Sequence, residues 1–311
     1  MAATSGLSLF NLNLNDLVEE AFERCGKELR SGYDLRTARR SLNLLTIEWA
    51  NRGINLWTVE QGQIVMNTGQ AIYPIPVDTI DLLDTVVRTN NGQGNNQIDI
   101  NISRISESTY LTVPNKNAYG RPIQVYVNRQ SGNIPSVPAT TIATGYPISA
   151  TDTTITLTDA SKLPTQGFVN IDNETIGYQN IVGNQIINAW RGQNGTTAAS
   201  HSAAASVYVN NLPCINVWPT PNSPGNQYTF VYYRLRRIQD AGNGSNIEDI
   251  PFRLVTAMVA GLAYNLSMKL QDVDPNRIMM LKADYEQQYQ LAADEDREKA
   301  AIRFVPRVLF Y

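Results

Sequence analysis

The apolar repeat of this chain changes twice along its length. Near both ends apolar residues return every three or four positions, whereas between those stretches they return in places every second position. A segment hides one stripe of side chains as a helix or one face as a strand, and the repeat decides which. Helices are therefore predicted at both ends and strands between them. In Asn15–Leu29, the residues Leu17, Val18, Ala21, Phe22, Cys25 and Leu29 share a stripe, with Glu19, Glu20, Glu23 and Arg24 filling much of the other face. Gly32 breaks this pattern. A second helix is predicted to start at Asp34, an N-cap residue, and to carry Leu35, Ala38, Leu42, Leu45 and Trp49 as far as Gly53. The two are expected to pack as a hairpin. After Asp249 and Pro251, the broad apolar face of Phe252, Val255, Met258, Val259, Leu262, Leu266 and Leu270 predicts a central, deeply buried helix. Asp274-Pro275 opens a last helix through Ile278, Leu281, Tyr285 and Tyr289, which runs out of apolar face at the charged stretch Asp294–Lys299. Beyond it lies a basic and apolar tail with no evident partner.

Alternation at Ile98, Ile100 and Ile102, at Ile123, Val125 and Val127, and at Tyr228, Phe230 and Tyr232 predicts short strands. Asn90–Gln97, rich in Asn and Gly, is expected to be a hairpin tip. At Ile134–Tyr208 the composition shifts abruptly to Thr, Ala, Ser, Gly and Asn. This segment is expected to be an inserted all-β domain, with strands at Thr154–Thr158, Phe168–Ile171, Glu174–Ile181, Gln185–Trp190 and Ser206–Val209. The predicted fold class is α+β: a helical bundle with a small antiparallel β region, formed by residues 1–133 and 209–311, plus the all-β insertion at 134–208.

The 311 residues suffice for a substantial core without disulfides, and Cys25 and Cys214 are isolated in unlike contexts, as buried small hydrophobes would be. No run of some eighteen apolar residues occurs, so a soluble protein made in the cytoplasm is expected. A net charge of -3 argues against a tight grip on nucleic acid, though a weakly acidic wall would let DNA slide past. Signals for catalysis are sparse. His201 is the single histidine, which leaves no multi-histidine metal site, and it is expected at a turn or edge. No glycine-rich phosphate cradle occurs. Asp78, Asp81 and Asp84 are spaced as possible hydrolytic carboxylates but sit in turn-like contexts. Trp49, Trp57, Trp190 and Trp218 could be sugar platforms, yet their phasing favours core packing. No catalytic residue, cofactor or metal is therefore expected.

The run from Asp34 to Trp57, with Leu42-Asn43, Trp49, Gly53 and Leu56-Trp57, resembles the N-terminal helical part of the head-to-tail adaptor (connector, or tail-tube A) proteins of short-tailed bacteriophages. Gly120-Arg121-Pro122 and Val217-Trp218-Pro219-Thr220-Pro221, each beside a predicted strand, resemble paired core strands of that family. Within the insertion, Val169–Tyr178 followed by Trp190–His201 is similar to a β module of phage tail proteins. The resemblance implies a structural virion protein at the head–tail junction. It would form a ring, commonly of twelve copies, that joins the portal to the tail nozzle or tube and continues the channel for DNA ejection. Arg303, Phe304, Val305, Arg307, Leu309, Phe310 and Tyr311 are the candidate portal contacts, and the insertion is a candidate dock for a fibre or nozzle protein. Two other readings stand beside this one. The first is a carbohydrate- or receptor-binding tail protein centred on the insertion, and the second a tail polysaccharide hydrolase using Asp78, Asp81 or Glu174.

Overall fold

The computed structural model describes residues 12–222, 227–240, 242 and 246–297. Among them are five α-helices: α1 (Leu14–Arg24), α2 (Gly32–Arg52), α3 (Glu107–Thr112), α4 (Val255–Ser267) and α5 (Pro275–Glu295). Eighteen strands in five sheets occupy most of the chain between α2 and α4. The chain divides into two compact units, Met1–Val59 with Arg237–Tyr311, and Glu60–Arg236.

This architecture corrects the expected helical bundle with a small β region. The molecule is β-rich, with helix accounting for about 29%, so no helical bundle forms the body of the fold. The reason lies in long-range pairing. Tyr228–Arg236 lies between Val59–Val65 and Thr79–Thr89, and Cys214–Trp218 lies between Ile72–Pro74 and Gln124–Asn128. Ile72–Pro74 is too short for a local repeat to announce it, Val59–Val65 and Thr79–Thr89 lack strict alternation, and Cys214–Trp218 and Tyr228–Arg236 gain these partners only across the 134–208 segment.

In the helical unit, α4 is the hub. Ala257, Met258, Val259, Ala260, Leu262, Ala263 and Leu266 are all buried, and α1, α2 and α5 pack against this helix. The small residues permit close approach: a Cβ on Gly261 would lie 2.8 Å from Tyr285 and 2.9 Å from Leu45. Both α1 and α2 contact α4 more extensively than each other, which replaces the expected hairpin with two helices sharing a hub. Helix α1 ends at Arg24, short of Leu29, because Gly26 turns left-handed at φ 72°. Ser31, not Asp34, caps α2, its hydroxyl accepting from the Asp34 N–H at 3.2 Å. Gly53 closes α2 at φ 88° as predicted. Trp49 is fully buried, its Nε1 donating to the Tyr285 hydroxyl at 3.2 Å.

The β unit carries two principal cores. One, including Tyr73, Leu82, Val87, Val125, Ile215 and Phe230, belongs to the strands on either side of the 134–208 segment. The other lies within that segment and includes Ile142, Ile155, Val169, Ile171, Ile176 and Val207. Here a five-stranded sheet runs in the order Trp190–Gln193, Glu174–Tyr178, Gly167–Ile171, Ser206–Asn210 and Thr140–Thr141. A three-stranded sheet of Asn180–Val182, Gln185–Ile187 and Ile155–Thr156 accompanies it. Asn90–Gln97 is indeed the connection of a hairpin, between Thr79–Thr89 and Ile98–Asn101.

Candidate functional site

The most concentrated polar chemistry among the described residues lies inside the five-stranded sheet. Every residue of Glu174–Tyr178 is buried, including the carboxylate that opens the strand. A lone buried carboxylate is costly, and Glu174 is therefore surrounded by donors. Arg191, on the neighbouring strand, grips it with two parallel bonds, Nε to Oε1 at 2.8 Å and a terminal nitrogen to Oε2 at 2.7 Å. The Gly192 N–H donates to Oε1 at 2.9 Å and the Ala199 N–H to Oε2 at 3.0 Å. His201 Nε2 lies 2.8 Å from Oε2, and its Nδ1 lies 2.7 Å from Asp172 Oδ2. The imidazole thus bridges the carboxylates of Asp172 and Glu174. Burial pushes the Glu174 carboxyl up, but bonds from Arg191, Ala199, His201 and Gly192 outweigh it and hold the group at about 2.

The backbone is shaped to deliver these groups. Gly192 has φ 60°, and a Cβ there would meet Thr196 O at 3.0 Å and Ala198 N at 3.1 Å. Thr196 clamps the turn, its hydroxyl accepting from the Thr175 N–H at 3.0 Å and donating to Gln193 O at 2.7 Å. Arg191 also donates to the carbonyls of Ser149, Asp152 and Ala199. One guanidinium thus ties two loops, the 149–152 turn and the stretch at Ala199, to one strand. With its side chain 1% exposed, Glu174 presents no free oxygen to a substrate. What the arrangement does chemically is lock loops in place.

His201 corrects the expected turn or edge position. It is buried, bridged to Ile148, and central to the network. The signal available in the sequence was the spacing of Arg191, Gly192, Gly195, Thr196 and His201 after the strand of Glu174. The other candidate carboxylates are not brought together with it. Asp78 pairs with Arg234 at 2.5 Å, and Asp81 pairs with Arg104 at 2.7 Å and Arg129 at 3.5 Å. Asp84 lies exposed on the same strand as Asp81. The indoles of Trp57 and Trp218 donate to Asp249 O and Asn115 O, both at 2.9 Å, and Trp190 packs half-buried beside Phe168. Burial raises Cys25 to about 11 and Cys214 to about 12, so both thiols are protonated at neutral pH. The candidate portal contacts Arg303, Phe304, Val305, Arg307, Leu309, Phe310 and Tyr311 lie outside the described residues. Among the described residues no helix is long and apolar enough to cross a membrane.

The comparison with protein families supplies the class: this is a phage structural adaptor. The match covers residues 124–307, more than half of the chain, and takes in the whole 134–208 segment together with α4 and α5. The chain belongs to the SU10 adaptor protein family. The matched stretch includes Val217–Pro221 but not Asp34–Trp57. No curated protein matches the chain.

Proposed function

We propose that the chain acts as a head-to-tail connector: copies assemble into a ring at the head–tail junction of the virion, join the portal to the tail nozzle or tube, and continue the DNA channel. The observation that carries this reading is the adaptor-family match across residues 124–307. Physical features support it. The charge of -3 suits a channel through which DNA slides without sticking. Exposed large apolar side chains, such as Tyr33, Leu44, Met279 and Met280, suit a protein that buries further surface on assembly. Within the connector, the C-terminal residues Arg303, Phe304, Val305, Arg307, Leu309, Phe310 and Tyr311 contact the portal. The 134–208 segment, held rigid by the Glu174 network, projects to dock a fibre or nozzle protein.

Negative-stain imaging of particles labelled at the C-terminus tests the location, and a label anywhere but the head–tail junction refutes it. Removal of residues 300–311 is expected to weaken portal binding, and undiminished binding sinks that contact. Particles that lack residues 134–208 yet keep a full fibre complement would remove the docking role.

A further inference from the structure

Two helices of the helical unit carry charges that find no counterpart among the described residues. The solvent face of α2 runs through Tyr33, Arg36, Arg40, Leu44 and Ile47, positions spaced by three or four, and all are exposed. Among the described residues neither Arg36 nor Arg40 has a carboxylate within ion-pair distance, and Arg39 beside them donates to a carbonyl, Gly242 O. Other arginines of the helical unit, Arg24, Arg52 and Arg253, are paired with acids. Arg36, Arg39 and Arg40 line an open groove with Tyr33. Leu44 and Ile47, 61% and 56% exposed, continue the same face and leave apolar surface in water next to it.

On α1 the solvent face is the opposite. Asp16, Glu19 and Glu23 are exposed at spacings of three and four, and none of these side chains makes an ion pair among the described residues. Glu19 and Glu23 are four residues apart, as are Arg36 and Arg40, which places each pair at the same separation of about 6 Å along its helix axis.

We infer that these faces meet between copies: the Arg36/Arg40 face of α2 in one subunit docks the Glu19/Glu23 face of α1 in the next, with Leu44 and Ile47 covered by the contact. The inference rests on the ring reading above and names the surfaces that would build it. The two faces are different patches of one subunit, so the contact is heterologous, the kind that propagates into a closed ring or a filament and not into a two-fold dimer. Matched opposite charge sets register and orientation as well as affinity.

Sedimentation of the full chain between about 50 mM and about 500 mM salt tests it, since exposed pairs are screened over that range. The wild type is expected to self-associate at low salt and to dissociate at high salt. R36E/R40E and E19K/E23K should each weaken association by roughly tenfold or more, and the variant carrying all four changes should recover it. Wild-type-like association of R36E/R40E, no recovery in the combined variant, or a monomeric wild type at low salt overturns the assignment. So does loss of binding to duplex DNA in R36E/R40E with association unchanged, which would make the face a phosphate site. If a reversal prevents folding, R36Q/R40Q replaces it with the same expected direction. The outcomes separate from those of the connector reading. Charge-swap recovery with a C-terminal label away from the junction refutes the connector alone, and a label at the junction with R36E/R40E assembling normally refutes this interface alone.

Discussion

Replacing Glu174 by Gln keeps the side chain's volume while removing its charge, and it isolates what the buried network contributes. In the folded chain the Glu174 carboxyl titrates at about 2, against 4.5 for an unperturbed glutamate. Its ionised form is therefore favoured by folding. Each pH unit between those values corresponds to about 1.4 kcal/mol, so the charge contributes on the order of 3 kcal/mol at neutral pH. That contribution is complete above the unfolded value and is lost as pH falls from 4.5 towards 2. The glutamine amide adds a second penalty, because its NH2 must face groups that are themselves donors. Hydrogen exchange of the full chain, corrected for intrinsic rates, reads the local opening of Glu174–Tyr178 and Trp190–Gln193. At pH 7 E174Q is expected to exchange roughly 100-fold faster there than the wild type, and the gap should narrow as the pH drops to about 3. A gap below about tenfold at pH 7, or one that does not change on acidification, would refute the claim that charge at Glu174 holds these strands together.

Other consequences follow from the same geometry. Glu248 is buried with neither carboxylate oxygen hydrogen-bonded among the described residues, and burial, with Asp240 and Asp249 nearby, raises it to about 7. The unfolded chain ionises this group first, so it destabilises the fold increasingly as pH rises from 4.5 to about 7 and fully above that. After discounting for solvent screening, E248Q should stabilise the helical unit by about 1–2 kcal/mol at pH 8 and not at pH 4, and identical melting at pH 8 counts against this. Gly192→Ala forces a Cβ against backbone at a positive φ and is expected to cost about 1–3 kcal/mol, read by urea denaturation. Trp49→Ala empties the centre of the helical unit and removes the bond to Tyr285, with an expected loss of about 3–5 kcal/mol in the same measurement.

Local signals proved most informative where one segment carries its own structural instruction. The stripe of α4, the Gly53 stop of α2 and the Asp274-Pro275 start of α5 could all be read directly, because a helix closes its hydrogen bonds within itself. Strands such as Gly167–Ile171 and Glu174–Tyr178 were also legible, since the Asp172-Asn173 turn signal joins them directly into a hairpin. The proportion of β structure was not. Tyr228–Arg236 shows its alternation plainly, but nothing local says that it completes a sheet with Thr79–Thr89, some 140 residues earlier.

The same division holds for the site. The resemblance to a tail-protein β module took in Glu174 and the Trp190–His201 stretch, sequence context marked the isolated cysteines, and motif order pointed to a phage adaptor. Only the tertiary structure decided that Glu174, Arg191 and His201 form one buried network, and that Arg36 and Arg40 of α2 and Asp16, Glu19 and Glu23 of α1 make no ion pair among the described residues. A sequence states which charges exist. Whether a charge is neutralised inside the chain or left facing outward depends on distances of a few ångströms between residues far apart in sequence, and those distances exist only once the chain has folded.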